Sequence, residues 1–210
     1  VLEFPTPSNP YGISVDNSGN IYVAIRTSSS IYKYDSTGNL LSQFSTGSGF
    51  SEQPFQIVVD GAGNVYVMKY NNKTVEKYNS SGSLLYQLQN PESGNSSFAH
   101  KVLGLAVDNS NNVYISDQNG VQKFDSSGNF VSKPITTGSG QPVPYDDPMQ
   151  GITVTNSGEI ISIRLIPTID PGWPYVYFNN DPLENCQQNL GYLNNCNPIL
   201  ILGAIAVDNS

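Results

Sequence analysis

One short phrase recurs along this 210-residue chain at nearly regular intervals. It reads Val-Asp-Asn-Ser-Gly-Asn-Ile-Tyr-Val at residues 15–23 and returns, little changed, at residues 59–67 and 107–115. A weaker copy starts at Val154, and residues 207–210 begin another. The second residue of each copy stands at position 16, 60, 108, 155 or 208, so that the spacings are 44, 48, 47 and 53 residues. This period is typical of a four-stranded propeller blade rather than of a helical repeat.

Each complete period contains four short strand signals in which apolar and polar residues alternate. The predicted strands are residues 12–16, 20–25, 30–34 and 40–45 in the first unit, 56–60, 64–69, 74–78 and 84–88 in the second, and 104–108, 112–116, 121–124 and 130–133 in the third. Most of the turns after the first and third strands pair an Asp or Asn with a Gly, which favours tight reversals. The sequence therefore predicts an antiparallel meander in every unit.

The repeats predict an all-β fold, a β-propeller of four-stranded antiparallel blades. We place the blades at residues 8–48, 52–92, 100–140 and 147–190, with a partial blade at 199–210. Because propellers pair their terminal strands to close the ring, we expect these four blades and part of a further one to belong to a five- or six-bladed ring that is incomplete at the C-terminus. Residues 1–6 are then a fourth strand of a preceding blade. In the alternative, a neighbouring subunit supplies the missing strands.

The direction of the strands separates two ends of such a molecule. Strands of a meander reverse at each turn, so the first-to-second and third-to-fourth turns emerge at one end, which we call the stereotyped face. The second-to-third turns and the links between blades emerge at the other end, the variable face. We expect function on the variable face, because its loops differ from unit to unit.

Charge and hydropathy exclude two classes of partner. The chain has 9 basic and 17 acidic residues and a net charge of −8, and only 12% of its residues are charged. Without a basic stripe to displace counterions from phosphates, nucleic-acid binding is not expected. The sequence also contains no apolar run long enough to span a bilayer, so we expect no membrane insertion.

Several features favour an extracellular or cell-surface location. Cys186 and Cys196 lie in one Asn- and Gln-rich segment and are expected to form a disulfide, although two free thiols remain the alternative. N-glycosylation sequons begin at Asn72, Asn79 and Asn95. The sequence opens at Val1 without an initiator Met, which is consistent with removal of a signal peptide or with a trimmed sequence.

The first unit resembles a known repeat family. Residues 10–16, 19–23 and 31–40, which include Pro-Tyr-Gly-Ile-Ser-Val-Asp and Tyr-Asp-Ser-Thr-Gly-Asn-Leu, resemble the NHL repeat, and residues 3–7 are similar to streptogramin-lyase-type propellers. The resemblance implies a β-propeller, usually with six blades. Typical NHL repeats carry an Asp after the second strand. Asp117 matches this pattern, whereas residues 25–30 and 69–73 depart from it.

Candidate binding residues cluster in the segments predicted at the variable face. Those near second-to-third turns or in the proline-rich stretch of the fourth unit are Arg26, Lys69, Tyr70, Asp117, Arg164, Trp173 and Tyr175. The prolines of that stretch predict an extended excursion between strands.

A catalytic alternative rests on Glu52, His100 and Asp147, which precede predicted inner strands and can converge near the central channel. A carboxylate and an imidazole together support proton transfer or metal binding. Lyases that the chain resembles use histidines with carboxylate support, whereas this sequence has 1 His. We therefore predict no metal site and no cofactor.

The sequence as a whole predicts an extracellular, non-enzymatic propeller that recognises a protein or a glycan through its variable face. Its uncharged polar and aromatic loops suit adaptable contacts. Two alternatives remain: a structural subunit that self-assembles into an extracellular filament or surface layer, and a lyase or lactonase-like hydrolase.

Overall fold

The computed structural model describes residues 3–69, 74–88, 102–117, 120–136, 149–155, 158–165, 174–178 and 181–182. Within these residues the chain forms four antiparallel sheets, each with four strands in chain order. The first sheet contains β1 (Pro10–Val15), β2 (Ile21–Ile25), β3 (Ser30–Tyr34) and β4 (Leu40–Ser45). A short 3-10 helix (Phe50–Glu52) precedes the second sheet, which contains β5 (Pro54–Val59), β6 (Val65–Lys69), β7 (Val75–Tyr78) and β8 (Leu84–Gln87).

The third and fourth sheets repeat this plan. The third contains β9 (Gly104–Val107), β10 (Val113–Asp117), β11 (Gly120–Phe124) and β12 (Phe130–Thr136). The fourth contains β13 (Met149–Val154), β14 (Ile160–Leu165), β15 (Pro174–Phe178) and the two-residue β16 (Asp181–Pro182). The predicted all-β fold of four-stranded antiparallel units is confirmed, and in the first three units the strands lie where the sequence predicts them. The partial blade at 199–210 lies outside the described residues.

One strand expectation is wrong. Residues 3–6 were expected to belong to a strand, but they form none. The other three strands of a preceding blade are not among the described residues. This segment therefore has no neighbouring strand with which to pair. Phe4 instead packs against Tyr34, with ring centroids 4.9 Å apart.

The hydrophobic core lies between successive sheets. We call the side of a sheet that meets the preceding sheet its upstream face, and the opposite side its downstream face. Tyr22 and Ala24, on the downstream face of the first sheet, pack with Val65 and Val67 on the upstream face of the second. The middle strands are thus buried on both sides, which explains their nearly continuous apolar runs.

The stereotyped turns have the predicted chemistry. The Asp16 carboxylate accepts hydrogen bonds from the backbone N–H groups of Ser18 and Asn20, both at 2.9 Å. Gly19 has a φ of 79°, which glycine adopts without steric cost. These side chain to backbone bonds fix the hairpins and direct the irregular connections to the opposite end.

Candidate binding face

Two aromatic rings from neighbouring inner strands meet at the variable face. Tyr11 at the start of β1 and Phe55 at the start of β5 have ring centroids 4.6 Å apart. The Arg26 guanidinium, just beyond β2, lies 5.0 Å from the centroid of Tyr11 and donates to Gln53 Oε1 from Nε (3.3 Å) and Nη2 (3.1 Å). Phe50 stands three residues before Gln53, in the same link between sheets. We call these five residues the variable-face platform.

The platform keeps much of its apolar surface open. Tyr11 is 51% exposed and Phe50 is 61% exposed. Large exposed rings beside a guanidinium and an amide combine apolar area with hydrogen-bonding groups. Arg26 was predicted as a binding residue, and the structure places it in this group.

A buried charge cluster supports the link that carries Phe50 and Gln53. The Lys69 ammonium, 4% exposed, forms ion pairs with Glu52 Oε2 and with Glu76 Oε2, the latter at 2.7 Å. The hydroxyl of Tyr78 donates to Glu76 Oε2 at 2.5 Å. Burial raises the pKa of Tyr78, and the neighbouring Glu76 raises it further, so this hydroxyl stays protonated as a donor. Glu52 and Lys69, predicted as separate candidates, therefore interact directly.

Backbone contacts hold the same link in place. Thr46 Oγ1 lies 3.0 Å from the carbonyl oxygen of Ser29 and 2.9 Å from that of Glu52. The N–H of Glu52 donates to the carbonyl of Gly49 at 3.2 Å. The 3-10 helix is therefore fixed between the first and second sheets, and the platform is positioned before any ligand arrives.

Asp117 lies at the end of β10, next to the second-to-third turn where the sequence predicts it. It is only 2% exposed, and Gln122 Nε2 donates to its Oδ2 at 3.1 Å. It ends β10 as Lys69 ends β6, so both polar side chains lie at the variable end of a middle strand. Asp117 is therefore buried in the described structure, and its role in binding stays a prediction.

Other candidates are described only in part or not at all. Arg164 of β14 and Tyr175 of β15 are backbone partners in the sheet register. Asn79 lies in the turn between β7 and β8, where its Oδ1 accepts from the N–H groups of Ser81 (3.0 Å) and Ser83 (2.8 Å). Tyr70, Asn72, Asn95, His100, Asp147, Trp173, Cys186 and Cys196 lie outside the described residues.

The catalytic alternative has one described member. Glu52 is paired with Lys69, and the convergence of His100 and Asp147 on it stays a prediction. In the described part of the chain, no group of three His, Cys, Asp or Glu side chains has an arrangement that can hold a metal ion. No described helix is long and apolar enough to cross a membrane.

Sequence reasoning missed Tyr11, Phe50, Gln53, Phe55 and Glu76. A signal for two of them is present: Pro10-Tyr11 and Pro54-Phe55 stand at equivalent positions of the first two units. An aromatic residue repeated at the entrance to an inner strand indicates a pair of rings at the channel mouth. Glu76 gives no such signal, because its role depends on Lys69 and Glu52 in three dimensions.

Comparison with known proteins supports the architecture. No family model and no curated protein matches the sequence. Among solved structures, a streptogramin B lyase is similar over 80% of this chain and 54% of its own, with 14% identity and a TM-score of 0.57. A catalytically inactive virginiamycin B lyase from Staphylococcus aureus, solved with quinupristin, is similar over 83% and 65%, with 14% identity and a TM-score of 0.57. The WD40 domain of Neurospora crassa Pan2 is similar over 79% and 49%, with 14% identity and a TM-score of 0.52.

These similarities and the four sheets define the protein as a β-propeller. The chain spans 49–65% of the length of the three solved chains. At 14% identity the likeness shows the fold alone.

Proposed function

We propose that this protein is an extracellular, non-enzymatic propeller of NHL type that binds a protein or glycan partner through its variable face. The observation that carries the proposal is the variable-face platform, in which exposed Tyr11 lies against the Arg26 guanidinium and exposed Phe50 belongs to the same fixed link as Gln53.

The chemistry of the platform suits recognition. Aromatic rings bury large apolar areas at a low cost in conformational entropy, and Tyr and Arg are enriched among the residues that dominate binding energy. The amide of Gln53 and the guanidinium of Arg26 add directional hydrogen bonds at the edge of the rings. A sugar ring or an apolar peptide side chain fits such a surface equally well.

The charges nearby favour binding over catalysis. Of the three proposed catalytic residues, Glu52 has its carboxylate paired with a buried ammonium, so it is a poor proton acceptor for a substrate. Its role in the proposal is to anchor the link. Replacement of His100 by Ala tests the lyase or lactonase alternative, because full turnover of an identified substrate by that variant excludes a catalytic His100.

The binding test begins with screens of a glycan microarray and of an extracellular protein array. Hits are then measured by biolayer interferometry with the wild-type protein and with Tyr11→Ala and Phe50→Ala. We expect each variant to weaken binding by about tenfold or more, which corresponds to about 1.4 kcal/mol. Phe130→Ala is the matched control, since Phe130 is 44% exposed on β12 but lies next to a stereotyped turn. Equal losses in all three variants, or none in the first two, contradict the proposal.

Location and processing are proposed on the sequence features alone, and peptide chemistry tests them. Mass spectrometry of unreduced peptides detects a Cys186–Cys196 bond, whereas alkylatable thiols at both positions contradict it. An intact mass equal to that of the polypeptide excludes glycans on Asn72, Asn79 and Asn95.

A further inference from the structure

The third-to-fourth turn of the second sheet departs from its equivalents at two positions. In the first and third sheets this turn starts with an Asp, and an Asn four residues later donates from its side-chain Nδ2 to Oδ2 of that Asp. The two pairs are Asp35 with Asn39, at 2.9 Å, and Asp125 with Asn129, at 3.0 Å. The second sheet has Asn79 and Ser83 at these positions, so its turn contains no such bond between side chains.

Asn79 still caps its turn as the aspartates do. Its Oδ1 accepts from the backbone N–H groups of Ser81 at 3.0 Å and Ser83 at 2.8 Å, as Asp35 Oδ1 does from the equivalent groups in the first sheet. The cap therefore uses only the oxygen of the Asn79 amide. Nδ2 of Asn79 has no hydrogen bond within the described part of the chain, so this nitrogen is available for a further bond.

The same turn is one of the N-glycosylation sequons, and it lies on the surface. Asn79-Ser80-Ser81 is the sequon that falls within the described residues; Asn79 is partly exposed and both serines are exposed. The turn joins β7 to β8 at the stereotyped face, at the opposite end of the strands from the variable-face platform. A large, solvated group attached here projects from an exposed hairpin tip and leaves the platform open.

We propose that Asn79 carries an N-linked glycan on the stereotyped face. This glycan depends on the proposed extracellular location, because export brings the chain to a glycosyltransferase and its lipid-linked glycan pyrophosphate. In the transfer, a bond forms between Nδ2 of Asn79 and the anomeric carbon of the first sugar, and the bond between that carbon and the pyrophosphate oxygen breaks. One proton of Nδ2 passes to a base of the transferase, and the lipid pyrophosphate leaves with the electron pair of the broken bond.

The glycosylated side chain keeps the bonds that hold the turn. It is still an amide, so its Oδ1 accepts from the same two backbone N–H groups. Asn79→Asp preserves this cap and removes the acceptor nitrogen, because an Asp makes the same cap in the first and third sheets. Ser81→Ala removes the hydroxyl that the sequon requires but keeps the N–H that the cap uses. These two variants therefore separate loss of the glycan from loss of the turn.

Peptide mapping by mass spectrometry tests the site on the intact 210-residue chain, both from its native source and secreted from a eukaryotic cell line behind a heterologous signal peptide. We expect a glycan on the Asn79 peptide in the majority of molecules from both sources. Asn79→Asp and Ser81→Ala should lose this glycan and keep the circular dichroism spectrum of the wild type. Ser81→Thr, which preserves the sequon, should keep the glycan.

An unmodified Asn79 peptide in the native protein overturns the proposal. Occupancy in the cell line alone then identifies the location as the wrong assumption, whereas an unmodified peptide from both sources identifies the turn. Urea denaturation adds a test of the geometry: the glycosylated protein should unfold at a urea concentration no lower than that of Asn79→Asp, and a clearly lower midpoint contradicts a glycan that preserves the cap. None of these measurements involves the variable face, so a failure of partner binding leaves their result unchanged.

Discussion

Glycine in the stereotyped turns has two physical reasons, and a comparison of Gly82, between β7 and β8, with Gly158, between β13 and β14, separates them. Gly82 and Gly158 have φ angles of 84° and 85°, but a Cβ at Gly82 would lie 2.4 Å from Phe44, whereas one at Gly158 would meet nothing within 4 Å. Both Ala variants carry backbone strain of roughly 1–2 kcal/mol. We predict that Gly82→Ala loses about 1–3 kcal/mol more in free energy of unfolding, because Phe44 must move. Urea denaturation of both variants measures the difference, and equal losses contradict a role for Phe44.

The Asp at the start of the first-to-second turn in each of the first three sheets anchors a side-chain network as well as the turn. Burial raises the pKa of Asp108, but hydrogen bonds from Asn112 and Tyr114 and the charge of Lys123 outweigh that effect and lower the pKa overall. Tyr114 donates to Asp108 Oδ2 at 3.0 Å, and Lys123 Nζ lies 3.7 Å from the same atom. The ionised form of Asp108 thus stabilises the folded protein.

We predict a pH-dependent effect of Asp108→Asn. An Asn keeps the oxygen that caps the backbone, as Asn79 does, but loses the acceptor for Tyr114 and Asn112, so the variant should be less stable by about 1–2 kcal/mol at neutral pH. Because the folded-state pKa lies below the unfolded value, the wild-type advantage is complete above about pH 4 and disappears as the pH falls through the folded-state value. Urea denaturation of both proteins at neutral and at acidic pH measures this difference in stability. A stability difference independent of pH would show that the carboxylate charge is unimportant.

Among the elements, the link between the first and second sheets depends on charge compensation. Lys69 is shared by Glu52 and Glu76, so Lys69→Met leaves two carboxylates without their cation. We predict a loss of about 3–5 kcal/mol in free energy of unfolding. The double variant Lys69→Met/Glu76→Gln should recover part of it, because one of the two carboxylates is then removed. A denaturant-based double-mutant cycle measures the coupling, and strict additivity contradicts the proposed cluster.

How well the sequence predicts these elements depends on how far apart along the chain the interacting residues lie. The hairpins depend on residues within five positions of each other, such as Asp16 and Asn20, and the sequence therefore locates their strands closely. Glu52 in the link before the second sheet meets Lys69 of β6 and Glu76 of β7, and only packing decides which side chains of that region touch. Residues 3–6 show the same limit, because a strand-like sequence forms a strand only where a neighbouring strand is present to pair with it.

At the scale of the whole molecule, the sequence repeat produces the same sheet-to-sheet interface several times. Each contact between sheets buries the upstream face of one sheet under the downstream face of the previous one. Three such contacts join the four described sheets. At the start of this series no described sheet covers the upstream side of β1, where Ile13 is 68% exposed.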